Sequence, residues 1–141
     1  MRSYRDGFRW MLRLETGEDL LGTLAEFAHR NEIRSAAVPL GIGQLRTATL
    51  GYWNGQEYEP REVEGATELV SLSGSIAEAE GRPSIHLHAS LGTRSFSTIS
   101  GHVLRGTVGV LAEVYVESFP GHPFGRPLDE SLGLRTLDLD P

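Results

Sequence analysis

At 141 residues with no cysteine, the chain is one domain's worth of sequence and carries no disulfide, thiolate ligand or cysteine nucleophile. Its 13 basic residues, all arginine, face 19 acidic ones, and the net charge of -6 argues against the phosphate-driven affinity that direct DNA binding needs. No apolar run approaches the ~20 residues of a membrane span, and Met1-Arg2-Ser3-Tyr4-Arg5-Asp6 leads into no secretory signal, so a cytoplasmic protein is expected.

In chain order, Phe8–Leu14 alternates Phe8, Trp10, Leu12 and Leu14 against Arg9 and Arg13, which predicts a strand with one buried face. Thr16-Gly17-Glu18-Asp19 has the spacing of a capping box, and Leu20, Leu21, Leu24, Phe27 and Ala28 follow at helical intervals. Asn31 suits the end of that helix. Ser35–Leu40 is a short apolar stretch interrupted by Pro39, and Leu45–Trp53 reads as a strand returning through Glu57–Val63 after the turn pair Asn54-Gly55. Glu68–Ile76 is a further strand broken by Gly74, and Ala77–Pro83 is a polar turn. Ser84–Leu91 and Ser97–Leu104 form a hairpin, and Gly106–Glu117 a long last strand. Glycine and proline exclude a regular element from Phe119 to Pro127, and the scattered leucines of Leu128–Leu139 suit docking, so residues 1–118 make the domain and 119–141 an irregular arm packed on it. One helix near the start with about seven strands after it gives an α+β (mixed α/β) class, a compact and largely antiparallel sheet.

Chemistry concentrates in the hairpin. His86 and His88 are two apart in an apolar, strand-forming run, so both stand on one face. A turn near Gly92–Ser95 brings His102 alongside, paired with His86 if the turn centres on Arg94 or with His88 if it centres on Ser95. In either register the three imidazoles converge, and three nitrogen ligands without cysteine suit an open zinc site better than a closed structural one. Packed, hydrogen-bonded histidines remain the ordinary alternative.

Glu113 interrupts an apolar run. It either orients a ligand histidine or serves as a base beside a metal-bound water, or else simply faces solvent while Val114 and Val116 face the core. His29 suits a helix C-terminus, and His122 lies in the glycine- and proline-rich tail. Tyr52, Trp53 and Tyr58 straddle the Asn54-Gly55 turn as cross-strand aromatics. No Gly-x-Ser-x-Gly elbow occurs, and Gly41-Ile42-Gly43 lacks the third glycine of a dinucleotide loop.

Taken in order, several fragments resemble the plants-and-prokaryotes conserved (PPC) domain family: Leu12-Arg13-Leu14…Gly17-Glu18-Asp19-Leu20, Gly41-Ile42-Gly43…Ala48…Leu50-Gly51-Tyr52, Glu68-Leu69…Ser71-Leu72-Ser73-Gly74-Ser75-Ile76, Pro83…His86-Leu87-His88, Gly101-His102 and Glu113-Val114. Leu132-Gly133-Leu134…Leu137-Asp138-Leu139 resembles the extension of stand-alone prokaryotic members, pointing to a bacterial protein of the kind often labelled DNA-binding. The resemblance implies a homotrimer and a divalent metal, zinc, on His86, His88 and His102. It implies a regulatory or ligand-binding module whose partners are its own copies, another protein or a small anionic ligand. A metal-dependent hydrolase or lyase is the alternative function. Ser100 departs from the family's Gly-Gly-His run, and Gly125-Arg126-Pro127 lacks the flanking arginine of an AT-hook, which leaves it reading as a turn.

Overall fold

A computed structural model describes residues 1–140. Its elements are β1 (Arg2–Asp6), β2 (Arg9–Glu15), α1 (Leu20–Arg30), β3 (Ala36–Trp53), β4 (Tyr58–Val63), β5 (Thr67–Ala79), β6 (Arg82–Gly92), β7 (Thr98–Ser118), β8 (Leu128–Asp129) and β9 (Leu134–Arg135). Seven strands form one antiparallel sheet in the order β1-β2-β7-β6-β5-β3-β4. β7 also pairs with β3, so the circuit β3-β5-β6-β7 closes on itself. The α+β class and the largely antiparallel sheet are as expected.

Periodicity explains the core. Trp10, Leu12 and Leu14 bury one face of β2, while Phe8 falls outside the strand beside the turn and stays exposed. On α1, Leu20, Leu24, Phe27 and Ala28 form the buried stripe, and Phe27 meets Trp10 edge to face at 5.1 Å. The helix begins differently from the capping box read in sequence. Asp19, not Thr16, is the N-cap, its Oδ1 accepting from the Gly22 amide at 2.6 Å. Thr16 instead donates its hydroxyl to the Val110 carbonyl, 2.7 Å away. Asn31 does occupy the C-cap, donating from Nδ2 to the Phe27 carbonyl.

Several apparent breaks are bridged. β3 runs through Pro39 because the ladder to β7 is irregular between Ala37 and Leu40, where a missing amide proton is tolerated. β5 runs through Gly74 to Ala79, so only Glu80-Gly81 remains as the turn into β6, both at positive φ (52° and 75°) as a tight hairpin of this type requires. Gly74 meets a packing need, since a Cβ there would lie 1.9 Å from the His86 carbonyl oxygen. The segments expected as Ser97–Leu104 and Gly106–Glu117 are one 21-residue strand, β7. β1 supplies the seventh strand in their place.

Beyond β7 the chain folds back on the sheet. The Glu78 amide donates to the Phe124 carbonyl and the Arg126 amide donates to the Glu78 carbonyl, both at 2.8 Å. Gly125 exchanges two backbone bonds with Asp138, and β8 pairs with β9. This arm ends up against the strand that neighbours the histidines.

Candidate metal centre

The β6–β7 register settles one open choice: His88 pairs with His102, centring the five-residue connection Thr93–Ser97 on Ser95. Ser100 does not disturb it. Ser100 pairs with Ser90, and the two hydroxyls lie 2.9 Å apart. The intervening residues Leu87, Ala89 and Val103 are buried in the core, so His86, His88 and His102 stand together on the opposite face.

Their ring centroids lie 4.9 to 5.4 Å apart, and one nitrogen from each falls within 4.8 Å of the others. His88 is exposed, whereas His86 and His102 are half-buried. The buried nitrogens His86 Nε2 and His102 Nδ1 have no hydrogen-bond partner. Orphaned buried polar atoms are costly, and a shared cation would satisfy both. The donor set of three imidazoles suits zinc with one coordination position left open.

Electrostatics favour the ligating, neutral form. Burial first, then His86, His88 and Arg126 as positive neighbours, push His102 down to about 4. Burial, Arg126 and His88 lower His86 in the same sense. Imidazole must be unprotonated to bind a metal, so these shifts remove proton competition near neutral pH.

Two neighbours escaped sequence reasoning. Tyr58 stacks on His102 at 4.5 Å and 21°, beyond its cross-strand role with Trp53. It can lean there because Gly51, paired with His102, has no Cβ; one would sit 2.9 Å from the Tyr58 ring. Arg126, read as part of a turn, is only 5% exposed and donates from Nη2 to Ser75 Oγ at 2.7 Å. Ser75 is the cross-strand partner of His86, so the two side chains share a face. Nothing local in Gly125-Arg126-Pro127 announces this, because the backbone of β5, distant in sequence, places it.

Glu113 does not join the histidines within this chain. It lies 11 residues beyond His102 on β7, roughly 35 Å of extended strand, and pairs with Arg13 on one side and Ile42 on the other. The alternation of Ala112, Val114 and Val116 into the core turns its side chain away from the core. His122 is likewise occupied elsewhere, its Nε2 2.9 Å from the Asp140 carbonyl oxygen. Among the described residues no helix is long and apolar enough to cross a membrane.

The profile of the Plants and Prokaryotes Conserved (PCC) domain matches residues 1–120. Among solved structures the chain is similar to a metal-containing protein of Archaeoglobus fulgidus, at 31% identity and a TM-score of 0.86 over 95% of each chain. It is similar to a plant- and prokaryote-conserved protein of Pyrococcus horikoshii, at 28% identity and a TM-score of 0.88 over 99% of this chain and 95% of that one. A Ralstonia eutropha protein provisionally named for DNA binding is 28% identical, with a TM-score of 0.89 over 98% and 96% of the two chains. No curated protein matches the sequence.

Proposed function

Because the chain belongs to the Plants and Prokaryotes Conserved domain family and gathers three convergent histidines on one sheet face, we propose that it is a homotrimeric, zinc-holding module that binds a small anionic ligand. The observation that carries this reading is the pair of buried, partnerless nitrogens, His86 Nε2 and His102 Nδ1, beside His88. Bound zinc would supply a positive charge and one free coordination position. The chain's own contribution is to hold neutral imidazoles in register and to shield one side with the Tyr58 ring. The metal-containing relative from Archaeoglobus fulgidus supports the reading.

Self-association is supported by an exposed apolar surface. Leu40, Ile42, Val70 and Val110 are exposed, the last at 61%, and an open depression of about 520 Å³ lies among Ile42, Val70 and Val110. Contiguous apolar surface of this kind marks interfaces.

The test is elemental analysis of untagged protein purified without added metal, wild type beside His88→Ala. Close to one zinc per chain is expected in the wild type and a large loss in the variant; equal metal in both would sink the assignment. An enzyme reading has one supporting feature, the open coordination position, and turnover abolished by His102→Ala would favour it. A DNA-regulatory role, suggested by the Ralstonia eutropha relative's name, calls for a mobility shift that weakens steeply with salt. The acidic charge predicts no shift.

A further inference from the structure

Arg126 is a buried cation without a counter-ion. Among the described residues it makes no ion pair, and its Nε–H, shut off from solvent, has no acceptor. Burying a guanidinium unpaired is expensive, yet the fold takes trouble to do it. Ser75 Oγ holds Nη2, and the Arg126 amide and carbonyl are fixed by Glu78 and by the Arg135 guanidinium. The cation stands beside His86 and acts electrostatically on both His86 and His102. Desolvation already disfavours its own charge.

A second positive centre on the histidines would make this worse. Loading a divalent cation there places two like charges together in a partly desolvated site, which is stable only if an anion lies between them. No aspartate or glutamate of the described chain pairs with Arg126 to fill that role. The missing component is therefore an acceptor that comes from outside the chain's own fold. A planar guanidinium suits a carboxylate, which offers one oxygen to the guanidinium and another to a metal.

We propose that Arg126 is the anion-recognising residue of this site, bridging a small carboxylate to a metal held by His86, His88 and His102, with Ser75 as the positioning residue that aims the guanidinium. This rests on the metal reading given above. The carboxylate is supplied by a free small molecule or by a side chain of a second copy. Its chemistry is the same in both cases.

Cobalt(II) in place of zinc makes the coordination sphere visible, because its visible absorption changes with the fourth ligand. Cobalt-loaded wild type, Arg126→Met, Arg126→Lys and Ser75→Ala would be titrated with acetate, alongside His88→Ala as the control for metal binding. The expected result is a saturable spectral change in the wild type, a dissociation constant raised at least tenfold in Arg126→Met, and a smaller rise in Arg126→Lys and Ser75→Ala. One cobalt per chain should be retained in these three. A wild type that ignores acetate, but whose acetate-free spectrum differs from that of Arg126→Met, would place the carboxylate on a second copy. Identical spectra and titrations in wild type and Arg126→Met would overturn the proposal while leaving the metal site intact. Failure of cobalt to bind, or equal binding by His88→Ala, would instead overturn the metal reading and this inference with it. Should Arg126→Met not fold, Ser75→Ala decides: an unchanged acetate constant there, together with an unchanged one in Arg126→Lys, refutes the role of the guanidinium.

Discussion

His102 carries the sharpest single-residue consequence. Its protonation is pushed from the ordinary histidine range near 6.5 down to about 4, mainly by burial. The unfolded chain therefore takes up a proton at a pH where the folded chain does not. The contribution of His102 to the stability of the metal-free protein is fully present above about 6.5 and is lost as pH falls toward 4. Thermal midpoints of metal-free protein should fall across that window, and His102→Gln should flatten the decline; parallel declines would show that another group is responsible. The histidines themselves were legible in sequence because strand alternation and one hairpin suffice to gather them. Arg126 was not, since its burial depends on Ser75, 51 residues away along the chain. Glu113 was open in sequence between a place beside the histidines and one facing solvent. A carboxylate in an apolar run looks conspicuous in one dimension, but β7 is long enough to carry it far from His102 and turn it away from the core.

Among the elements, α1 was the easiest to find and its start the easiest to misassign. Two candidate caps lie within four residues, and only the structure shows that the Asp19 carboxylate reaches the Gly22 amide while the Thr16 hydroxyl turns to β7. Asp19→Ala should lower the unfolding free energy by about 1 kcal/mol, measured as a shift in the urea midpoint. Thr16→Ala should leave the helix start intact and cost less; the reverse order would restore the capping-box reading. Strand limits failed for a different reason. Gly74 and Pro39 mark breaks in a sequence window, whereas the first is required by close backbone approach at His86 and the second falls where the ladder is already irregular. β1 was missed because Arg2-Ser3-Tyr4-Arg5-Asp6 is exposed on both faces and carries no hydrophobic alternation.

For the whole molecule, the closed circuit β3-β5-β6-β7 fixes the histidine face rigidly and leaves the apolar patch around Val110 exposed. If copies meet through that patch, Val110→Asp should convert the assembly to monomers in sedimentation velocity without loss of zinc. An unchanged sedimentation coefficient would move the interface away from β7. Only β1 and β4 are left at the ends of the sheet. β1 is exposed throughout and carries Arg2, Arg5 and Asp6, while β4 carries Glu59, Arg61 and Glu62 with Pro60 in their midst. Charge deters an incoming strand, and proline offers it no amide proton. A protein so rich in β-structure is thereby guarded against templated growth into fibrils and against joining a second copy through a shared backbone ladder.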